Sequence, residues 1–279
     1  MIKIKQISFS YRSRQKLLDH LDLNLESGSV YGLLGKNGVG KTTLLKLIAG
    51  LLYPLAGECS VLEQHPVKRH PSFLQELFFI PEEFYLPHIS IEKYKKFYAP
   101  FYKRFDYSLF KTMLDEFDLD PKADLHTLSY GQKKKFLLAY GLASNTKLLL
   151  LDEPSNGLDI PSKMQFQRLI AAQLTEERTI IISTHQVRDL ENLIDNIVIL
   201  DDGEIAFNQS MHIIGQKLSF KRYHLGDIAP GESIYRSKSP GGNIVISKNL
   251  DREDSRIDLE ALFNAVIDNR SDMVAAFEE

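Results

Sequence analysis

The sequence predicts an α/β fold with a mainly parallel central sheet. Three apolar runs, at residues 147–152, 178–184 and 196–201, have the length and composition of fully buried strands. Segments long enough to form helices separate these runs. Buried strands that alternate with helices are typical of a parallel sheet that is covered on both faces.

The N-terminal third predicts further strands on either side of a glycine-rich loop. Strands are expected at 2–9, 17–25, 30–34 and 76–80. After the third of these, apolar residues at helical spacing predict a helix that ends near Gly50. These residues are Leu44, Leu45, Leu47, Ile48 and Leu51.

The rest of the chain predicts helices and then a weaker pattern. Helical segments are expected from about 90 to 117, and DDGEIAF predicts a tight turn into a short edge strand. Further on, the sequence predicts a hairpin over Gly241 and Gly242 and a final amphipathic helix in IDLEALFNAVI. We therefore expect a main domain at 1–212 and a small α+β extension at 213–279.

Composition and charge limit the classes of function. The chain has 279 residues, of which 43% are apolar, so it can bury one large core and a small appendage. A formal net charge of −3 lacks the basic surplus typical of nucleic-acid binding, so no such partner is expected. The single cysteine, Cys59, excludes an intramolecular disulfide and is expected to be buried in a protein of the reducing cytoplasm. No apolar run approaches the roughly 18 residues that span a bilayer, so a membrane connection would need a partner.

The stretch GLLGKNGVGKTTLL predicts a phosphate-binding loop. It matches G-x-x-x-x-G-K-[ST] between a predicted buried strand and a helix, the context that a P-loop NTPase requires. Glycines let successive N–H groups face the phosphates, and the helix N-terminus adds a positive dipole. Lys41 would reach the β- and γ-phosphates, while Thr42 would ligate Mg²⁺. The predicted ATP contacts of this loop are Gly35, Lys36, Asn37, Gly38, Val39, Gly40, Lys41, Thr42 and Thr43.

The sequence LLLLDEP predicts the acidic half of the same site. Asp152, at the end of a buried strand, could hold Mg²⁺, and Glu153 beside it could polarise an attacking water. The alternative is that the two acids cap the next helix, which Pro154 would also suit. The presence of the phosphate-binding loop favours the catalytic interpretation.

Further motifs follow one another in the order found in ATP-binding cassette (ABC) ATPases. LSYGQ at 128–132 resembles the signature sequence LSGGQ, SNGLD ending at Asp159 resembles the D-loop, and His185 in IISTHQ matches the switch histidine. Tyr11 in FSYRSR lies where an aromatic ring stacks on adenine. The resemblance covers about residues 1–210. It implies a mainly parallel core sheet, an N-terminal antiparallel β part and a helical subdomain at about 84–145.

The resemblance also implies roles for several residues. Lys41, Glu153 and His185 would be catalytic, with His185 reaching the γ-phosphate and holding the attacking water near Glu153. Without the other motifs, a histidine after an apolar strand would more often be a structural residue whose ring nitrogens have hydrogen-bond partners within the protein. The neighbouring lysines at 133–135 are interpreted mostly as a solvated helix face, with one of them adding to the field at the phosphates.

In this family two chains face each other head to tail with ATP between them. The resemblance therefore implies an ATP-dependent homodimer in which one chain binds the ATP of the other through Ser129, Gly131, Gln132 and Asp159. Taken alone, Ser129 would be a plain helix N-cap. Tyr130 replaces a glycine of the signature, and its ring is expected to point away from the phosphate.

The stretch FFIPEEF departs from the family pattern. The family carries a glutamine after this strand, but Glu82 follows Pro81 here. Glu82 is expected to replace it as a third Mg²⁺ ligand besides Thr42 and Asp152, because Mg²⁺ accepts carboxylate and amide oxygens. Glu83 would be solvated or contact a partner. The alternative is that both acids are merely on the surface.

These features predict the ATPase subunit of an ABC transporter, with ATP and Mg²⁺ as cofactors. It would act through a separate integral-membrane permease, lie peripherally on the cytoplasmic face of the membrane, and resemble exporter-type cassettes. The alternative is an ABC ATPase that acts on ribosomes or DNA. Most aromatic side chains of the segment after Glu83 are expected in the core of the helical subdomain, and some in a groove for a permease helix. They are Phe84, Tyr85, Tyr94, Phe97, Tyr98, Phe101, Tyr102 and Phe105.

Overall fold

The structure, a computed structural model, describes residues 1–12, 16–187, 191–223, 233–239, 242–250 and 255–278. The strands are β1 (Ile2–Phe9), β2 (Leu18–Leu25), β3 (Val30–Leu34), β4 (Ala56–Val61), β5 (Leu77–Ile80), β6 (Leu148–Asp152), β7 (Thr179–Thr184), β8 (Asn196–Asp201), β9 (Glu204–Ser210), β10 (Leu218–Tyr223), β11 (Tyr235–Ser239) and β12 (Gly242–Lys248). The helices are α1 (Lys41–Ile48), α2 (Pro71–Leu74), α3 (Ile91–Tyr98), α4 (Tyr107–Glu116), α5 (Tyr130–Ala143), α6 (Ile160–Ala172), α7 (Met211–Lys217), α8 (Leu259–Asp268) and α9 (Arg270–Glu278).

The central sheet has six strands in the order β5-β6-β7-β3-β8-β9. The first five are parallel, and β9 joins the edge antiparallel to β8. Every residue of β3, β6 and β7 is buried, which explains why these strands are apolar throughout. Asp202 and Gly203, with φ of 46° and 80°, form the tight turn into β9. The prediction of an α/β fold with a mainly parallel sheet is confirmed.

A second sheet forms the N-terminal antiparallel part, in the order β2-β1-β4. Strands β1 and β2 lie where the sequence predicts them, but β4 was not predicted. Its sequence, AGECSV, buries only Cys59 and Val61, so its apolar pattern is too short to identify a strand. Cys59 is 8% exposed, as expected, and burial raises the pKa of its thiol to about 12.

Helices α3, α4 and α5 pack around a buried aromatic cluster. Tyr140 of α5 is fully buried at its centre, in contact with the rings of Phe78, Tyr94, Phe105 and Phe110. The expectation that most aromatic residues of this segment would lie in the core was wrong. Half of the eight are exposed: two lie on α3, a short surface helix, and two lie in the segments before and after it. The exposed ones are Tyr85, Phe97, Tyr98 and Phe101.

The C-terminal part forms a three-stranded antiparallel sheet, β10-β12-β11, with α7, α8 and α9. The predicted hairpin is confirmed by the pairing of Ser239 with Gly242, although Gly241 lies outside the described residues. The predicted amphipathic helix is α8, which packs on β8 and β9 of the central sheet and on β11 and β12. Its Leu262 belongs to the same buried cluster as Ile199 and Phe207 of the central sheet. The boundary at residue 212 stays a prediction, since the two parts share this core.

Candidate nucleotide-binding and catalytic site

The sheet order brings three separate motifs to one edge. β3 lies beside β7, which lies beside β6. Leu34 is level with Thr184 in the first pair, and Asp152 is level with Ser183 in the second. Because the strands are parallel, their carboxyl ends meet at the same edge of the sheet, where α/β proteins bind ligands. The glycine-rich loop, the acidic pair and the predicted switch histidine therefore converge.

The loop between β3 and α1 has the backbone geometry that phosphate binding requires. Gly38 and Gly40 have φ of 80° and 116°, which favours glycine. A Cβ on Gly40 would also lie 3.0 Å from a methyl carbon of Leu18. No side chain caps the N-terminus of α1, so its first N–H groups can bind an anion.

Lys41 lies across this loop as a nearly buried cation. Its side chain is 7% exposed, and Nζ donates to the carbonyl oxygens of Gly35 at 2.7 Å and Lys36 at 3.3 Å. Burial lowers the pKa of Lys41, while the carboxylates of Glu153, Asp152 and Glu82 oppose this shift. These carboxylates thus support the charged form that contact with a phosphate needs.

Asp152 and Thr42 form a pair of oxygen donors that suits Mg²⁺. The Thr42 hydroxyl donates to Asp152 Oδ2 at 2.7 Å, and the Ser183 hydroxyl donates to Asp152 Oδ1. Asp152 is fully buried, so its carboxylate is fixed in direction. Mg²⁺ commonly binds one or two such protein oxygens together with nucleotide phosphates. The residues present therefore fit the ion.

Glu153 is held in an orientation suited to general-base chemistry. Its carboxylate accepts a hydrogen bond from the Thr184 hydroxyl at 3.1 Å and lies 2.8 Å from His185 Nδ1. Glu153 Oε1 also lies 3.9 Å from Lys41 Nζ. Its backbone has a φ of 47°, a left-handed conformation that costs a non-glycine residue about 1–3 kcal/mol. The backbone N–H donates to the Ser183 carbonyl oxygen at 3.0 Å, which helps to hold this conformation.

The converging residues enclose a cavity of about 560 Å³, within the range of small-molecule sites. Tyr11 lies at this cavity, 61% exposed, with its hydroxyl 3.1 Å from that of Thr43. The cavity is lined by Tyr11, Leu17, Asn37, Gly38, Gly40, Lys41, Thr42, Thr43, Glu82, Asp152, Glu153 and His185.

Glu82 faces this cavity and joins it to neighbouring loops. Its Oε1 accepts a hydrogen bond from Asn156 Nδ2 at 3.1 Å, and its carbonyl oxygen accepts one from the Tyr130 hydroxyl at 2.9 Å. Asn156 Oδ1 in turn accepts a hydrogen bond from Gln186 Nε2 at 3.2 Å. Glu82 thus links the loops that follow β5, β6 and β7. Glu83 is exposed.

The predicted cross-chain residues lie outside this cavity. Ser129 caps α5 in a capping box: it accepts a hydrogen bond from the Gln132 N–H, and the Gln132 side chain accepts one from the Ser129 N–H. Asp159 caps α6 and is exposed, like Ser129 and Gln132, while Gly131 is half-buried. Tyr130 stacks on Phe84 with ring centres 5.5 Å apart. None of these four predicted cross-chain residues is among the described residues that line the cavity. They are therefore free of the site of their own chain, as a role toward a second copy requires.

Sequence reasoning missed four residues around the acidic pair. The interpretation of the lysines at 133–135 as a solvated face was wrong for Lys134, which is fully buried and donates to the Glu153 and Asn156 carbonyl oxygens. Ser183 and Thr184 hold the two carboxylates. Their position just before His185 in IISTHQ was a usable signal, because adjacent parallel strands end level. Nothing in the sequence marked Lys134 or Asn156.

The fold and this geometry define a P-loop ATPase. The sequence model of the family described as ABC transporter matches residues 18–156. Bacitracin transport ATP-binding protein BcrA of Bacillus licheniformis is 30% identical over 247 residues, covering 81% of this chain and 76% of that protein. Nod factor export ATP-binding protein I of Neorhizobium galegae is 29% identical over 260 residues, covering 90% and 72%.

A solved ATP-binding cassette, a dimer in a post-hydrolysis state with ADP and phosphate, has the same fold. Its TM-score is 0.65 at 22% identity, covering 76% of this chain and 99% of that chain. The chain belongs to the ABC transporter ATP-binding proteins: it is an ATP-binding ATPase subunit of that family.

Proposed function

We propose that the chain powers transport through a separate membrane-embedded permease by hydrolysing Mg²⁺-bound ATP in a head-to-tail homodimer. The observation that carries this proposal is an apolar groove whose wall includes the strand that leads to Glu82. Among the described residues, no helix is long and apolar enough to cross a bilayer. The membrane-spanning path would then belong to the partner, and this chain would lie on the cytoplasmic face.

The groove, of about 600 Å³, has the chemistry to receive a partner helix. It is mostly aromatic, and Tyr98 and Phe101 at its surface are 41% and 68% exposed. An amphipathic helix binds by laying its apolar face into such a groove. Phe78 of β5 lines it, two residues before the end of the strand that precedes Glu82. Its lining residues are Pro71, Leu74, Gln75, Phe78, Tyr94, Tyr98, Pro100, Phe101, Tyr102, Lys103 and Tyr140.

In the nucleotide site we assign the binding roles from the position and the charge of each group at the cavity. Gly35–Thr43 would bind the phosphates, and Tyr11 would stack on the adenine. Mg²⁺ would be held by Thr42, Asp152 and Glu82, and when bound it neutralises phosphate charge.

The catalytic roles that we propose rest on the same geometry. Lys41 would contact the γ-phosphate, Glu153 would accept the proton of the attacking water, and His185 would orient that water against Glu153. The short Glu153–His185 distance of 2.8 Å supports this pairing.

The homodimer would complete each site with the second chain. Ser129, Gly131, Gln132 and Asp159 would contact the ATP bound by the partner, since they lie outside the cavity of their own chain. The exposed N-terminus of α5 would direct its dipole at the γ-phosphate. The dimeric cassette with the same fold supports this arrangement. The Nod factor export relative supports export as the direction of transport.

Capture of the partner tests this function. Chain carrying Glu153→Gln, incubated with ATP and Mg²⁺ in detergent-solubilised membranes, should recover one polytopic membrane protein in stoichiometric amount. Phe101→Ser added to Glu153→Gln should abolish that recovery, and Phe101→Ser alone should leave the ATPase activity of the purified chain unchanged. Tyr53→Ser, which alters an equally exposed aromatic residue (66%) outside the groove, is the matched control. Recovery of ribosomal or DNA-associated proteins without a membrane protein would overturn the proposal.

A further inference from the structure

Lys134 is a fully buried cation that the steps above do not use. It lies in the first turns of α5 with 0% exposure. Its Nζ donates to the carbonyl oxygen of Glu153 at 2.5 Å and to that of Asn156 at 3.0 Å. The same nitrogen lies 5.6 Å from the centre of the Tyr130 ring. Its hydrogen-bond acceptors are thus backbone carbonyl groups.

Burial of such a cation is costly unless its surroundings compensate. Removing an ammonium group from water is unfavourable even after the surrounding protein relaxes. Burial lowers the pKa of Lys134 to about 8, although the nearby carboxylates of Glu82, Glu153 and Asp152 oppose the shift. The two carbonyl groups that accept hydrogen bonds from Nζ favour its protonated form. A buried methionine would fill similar space without this cost. The charge and its hydrogen bonds therefore indicate a role beyond packing.

The two carbonyl groups belong to the turn that presents Glu153. Asn156 N–H donates to the Glu153 carbonyl oxygen at 3.2 Å, which closes the turn, and Lys134 binds both of its ends. Glu153 has its left-handed φ of 47° at the start of this turn. Fixing its carbonyl group constrains the backbone from which the side chain projects, while Thr184 and His185 contact the carboxylate itself. A strained backbone persists only where its surroundings hold it.

The other end of the turn is hydrogen-bonded to the loop that follows β5. Asn156 connects to Glu82 through Nδ2 and to Gln186 through Oδ1. Lys134, by holding the Asn156 carbonyl, therefore anchors the residue that joins the loops after β5 and β7. One buried ammonium group links the water-activating carboxylate to Glu82.

We propose that Lys134 is a positioning residue for ATP hydrolysis, which holds the 153–156 turn so that Glu153 faces the attacking water and Asn156 stays on Glu82. This inference rests on the proposed role of Glu153 as general base. It concerns hydrolysis by the purified chain and does not depend on a permease.

The test separates turnover from nucleotide binding. Lys134→Met keeps the length of the side chain but removes its donors, so kcat should fall about tenfold to a hundredfold, the scale of a small misplacement in an active site. The Kd of a fluorescent ATP analogue should change less than twofold. Lys134→Gln, which retains an N–H donor, should recover part of kcat. Lys111→Met, which removes an exposed lysine of α4, is the control for loss of charge.

Two results would overturn the proposal. One is a folded Lys134→Met or Lys134→Gln chain with the kcat of the wild type. The other is a parallel loss of kcat and ATP affinity, which would mark a merely structural role. Asn156→Ala, which leaves the main chain and the core intact, should lower kcat severalfold at unchanged ATP affinity, and an unchanged kcat would contradict the link to Glu82.

Glu153→Gln in the same assays distinguishes this inference from the proposed site. If Glu153→Gln is inactive while the Lys134 variants are fully active, only the inference on Lys134 fails. If Glu153→Gln hydrolyses ATP at the wild-type rate, the assignment of the general base fails as well.

Discussion

The N-termini of α1 and α5 both carry motifs predicted to bind a phosphate, but the two helix ends are capped in different ways. In α1 the N-cap is Gly40, and no side chain caps the helix. In α5 the N-cap is Ser129, which forms reciprocal hydrogen bonds with Gln132. The end of α1 therefore offers its N–H groups to a ligand, whereas at the end of α5 the Gln132 N–H is already bound by the Ser129 side chain.

This difference separates binding within a chain from binding between chains. Ser129 Oγ accepts from the Gln132 N–H at 3.3 Å, a long hydrogen bond that a phosphate could replace at little cost. The described structure shows the N-cap role of Ser129. Its cross-chain role remains part of the proposed function, and a dimer would have to supply the phosphate. Variants at the two helix ends should therefore affect different steps.

The largest effect is expected at the end of α1. Lys41→Met removes the nearly buried cation of the phosphate loop, so the Kd for ATP should rise about a hundredfold, consistent with loss of a strong charge-assisted hydrogen bond. Titration of the purified chain with a fluorescent ATP analogue measures this. Lys111→Met controls for net charge. A rise below threefold would show that Lys41 does not hold the phosphates.

At the end of α5, Ser129→Ala should spare ATP binding by the separate chain but lower hydrolysis about tenfold, the loss expected for one phosphate hydrogen bond. Ser90 is the matched control, since it caps α3 in the same way: its Oγ accepts a hydrogen bond of 3.3 Å from the Lys93 N–H. Both variants should lose about 1 kcal/mol of helix-capping stability in urea unfolding. Equal ATPase rates for Ser129→Ala and Ser90→Ala would contradict a role for Ser129 beyond capping.

Glu82 lines the cavity at the start of α1 and binds Tyr130 at the start of α5. Glu82→Gln should raise the half-saturating Mg²⁺ concentration for ATPase activity several-fold. An amide oxygen lacks the charge that strengthens a carboxylate as a ligand of Mg²⁺. The amide oxygen can still accept the Asn156 hydrogen bond, so the loop should keep its position. Glu83→Gln, at the exposed neighbour, is the control. If Mg²⁺ dependence and turnover both stay the same, Glu82 is not a ligand.

The smallest effect is expected for Tyr130→Phe. This change keeps the ring that stacks on Phe84 but removes the hydroxyl that donates to the Glu82 carbonyl oxygen. Loss of one hydrogen bond should lower the free energy of unfolding by about 1 kcal/mol, measured in urea. Tyr53→Phe, at an exposed residue, should change stability by less than half of that. A stability equal to the wild type would show that water replaces this contact.

Much of the site could be predicted because it consists of contiguous motifs next to buried strands. Gly35–Thr43, the Asp152–Glu153 pair and His185 each follow an apolar run, and parallel strands bring such residues to one edge. The position of Ser129 at a helix N-terminus also agrees with the sequence pattern. Strand β4 was missed because only two of its residues are buried, and α7, β10 and α9 because short elements carry little periodicity.

The fold class and the residues of the phosphate loop can be predicted from the order of residues, because strand burial and loop conformation depend on local residue types. Which of the three adjacent lysines is buried depends on three-dimensional packing, since Lys134 contacts the Glu153 turn only where two distant segments of the chain approach each other. The same holds for the exposed aromatic residues of the groove and for the core shared with the C-terminal part. These features depend on which surfaces meet in three dimensions, and a one-dimensional pattern carries that information only where one element buries one regular face.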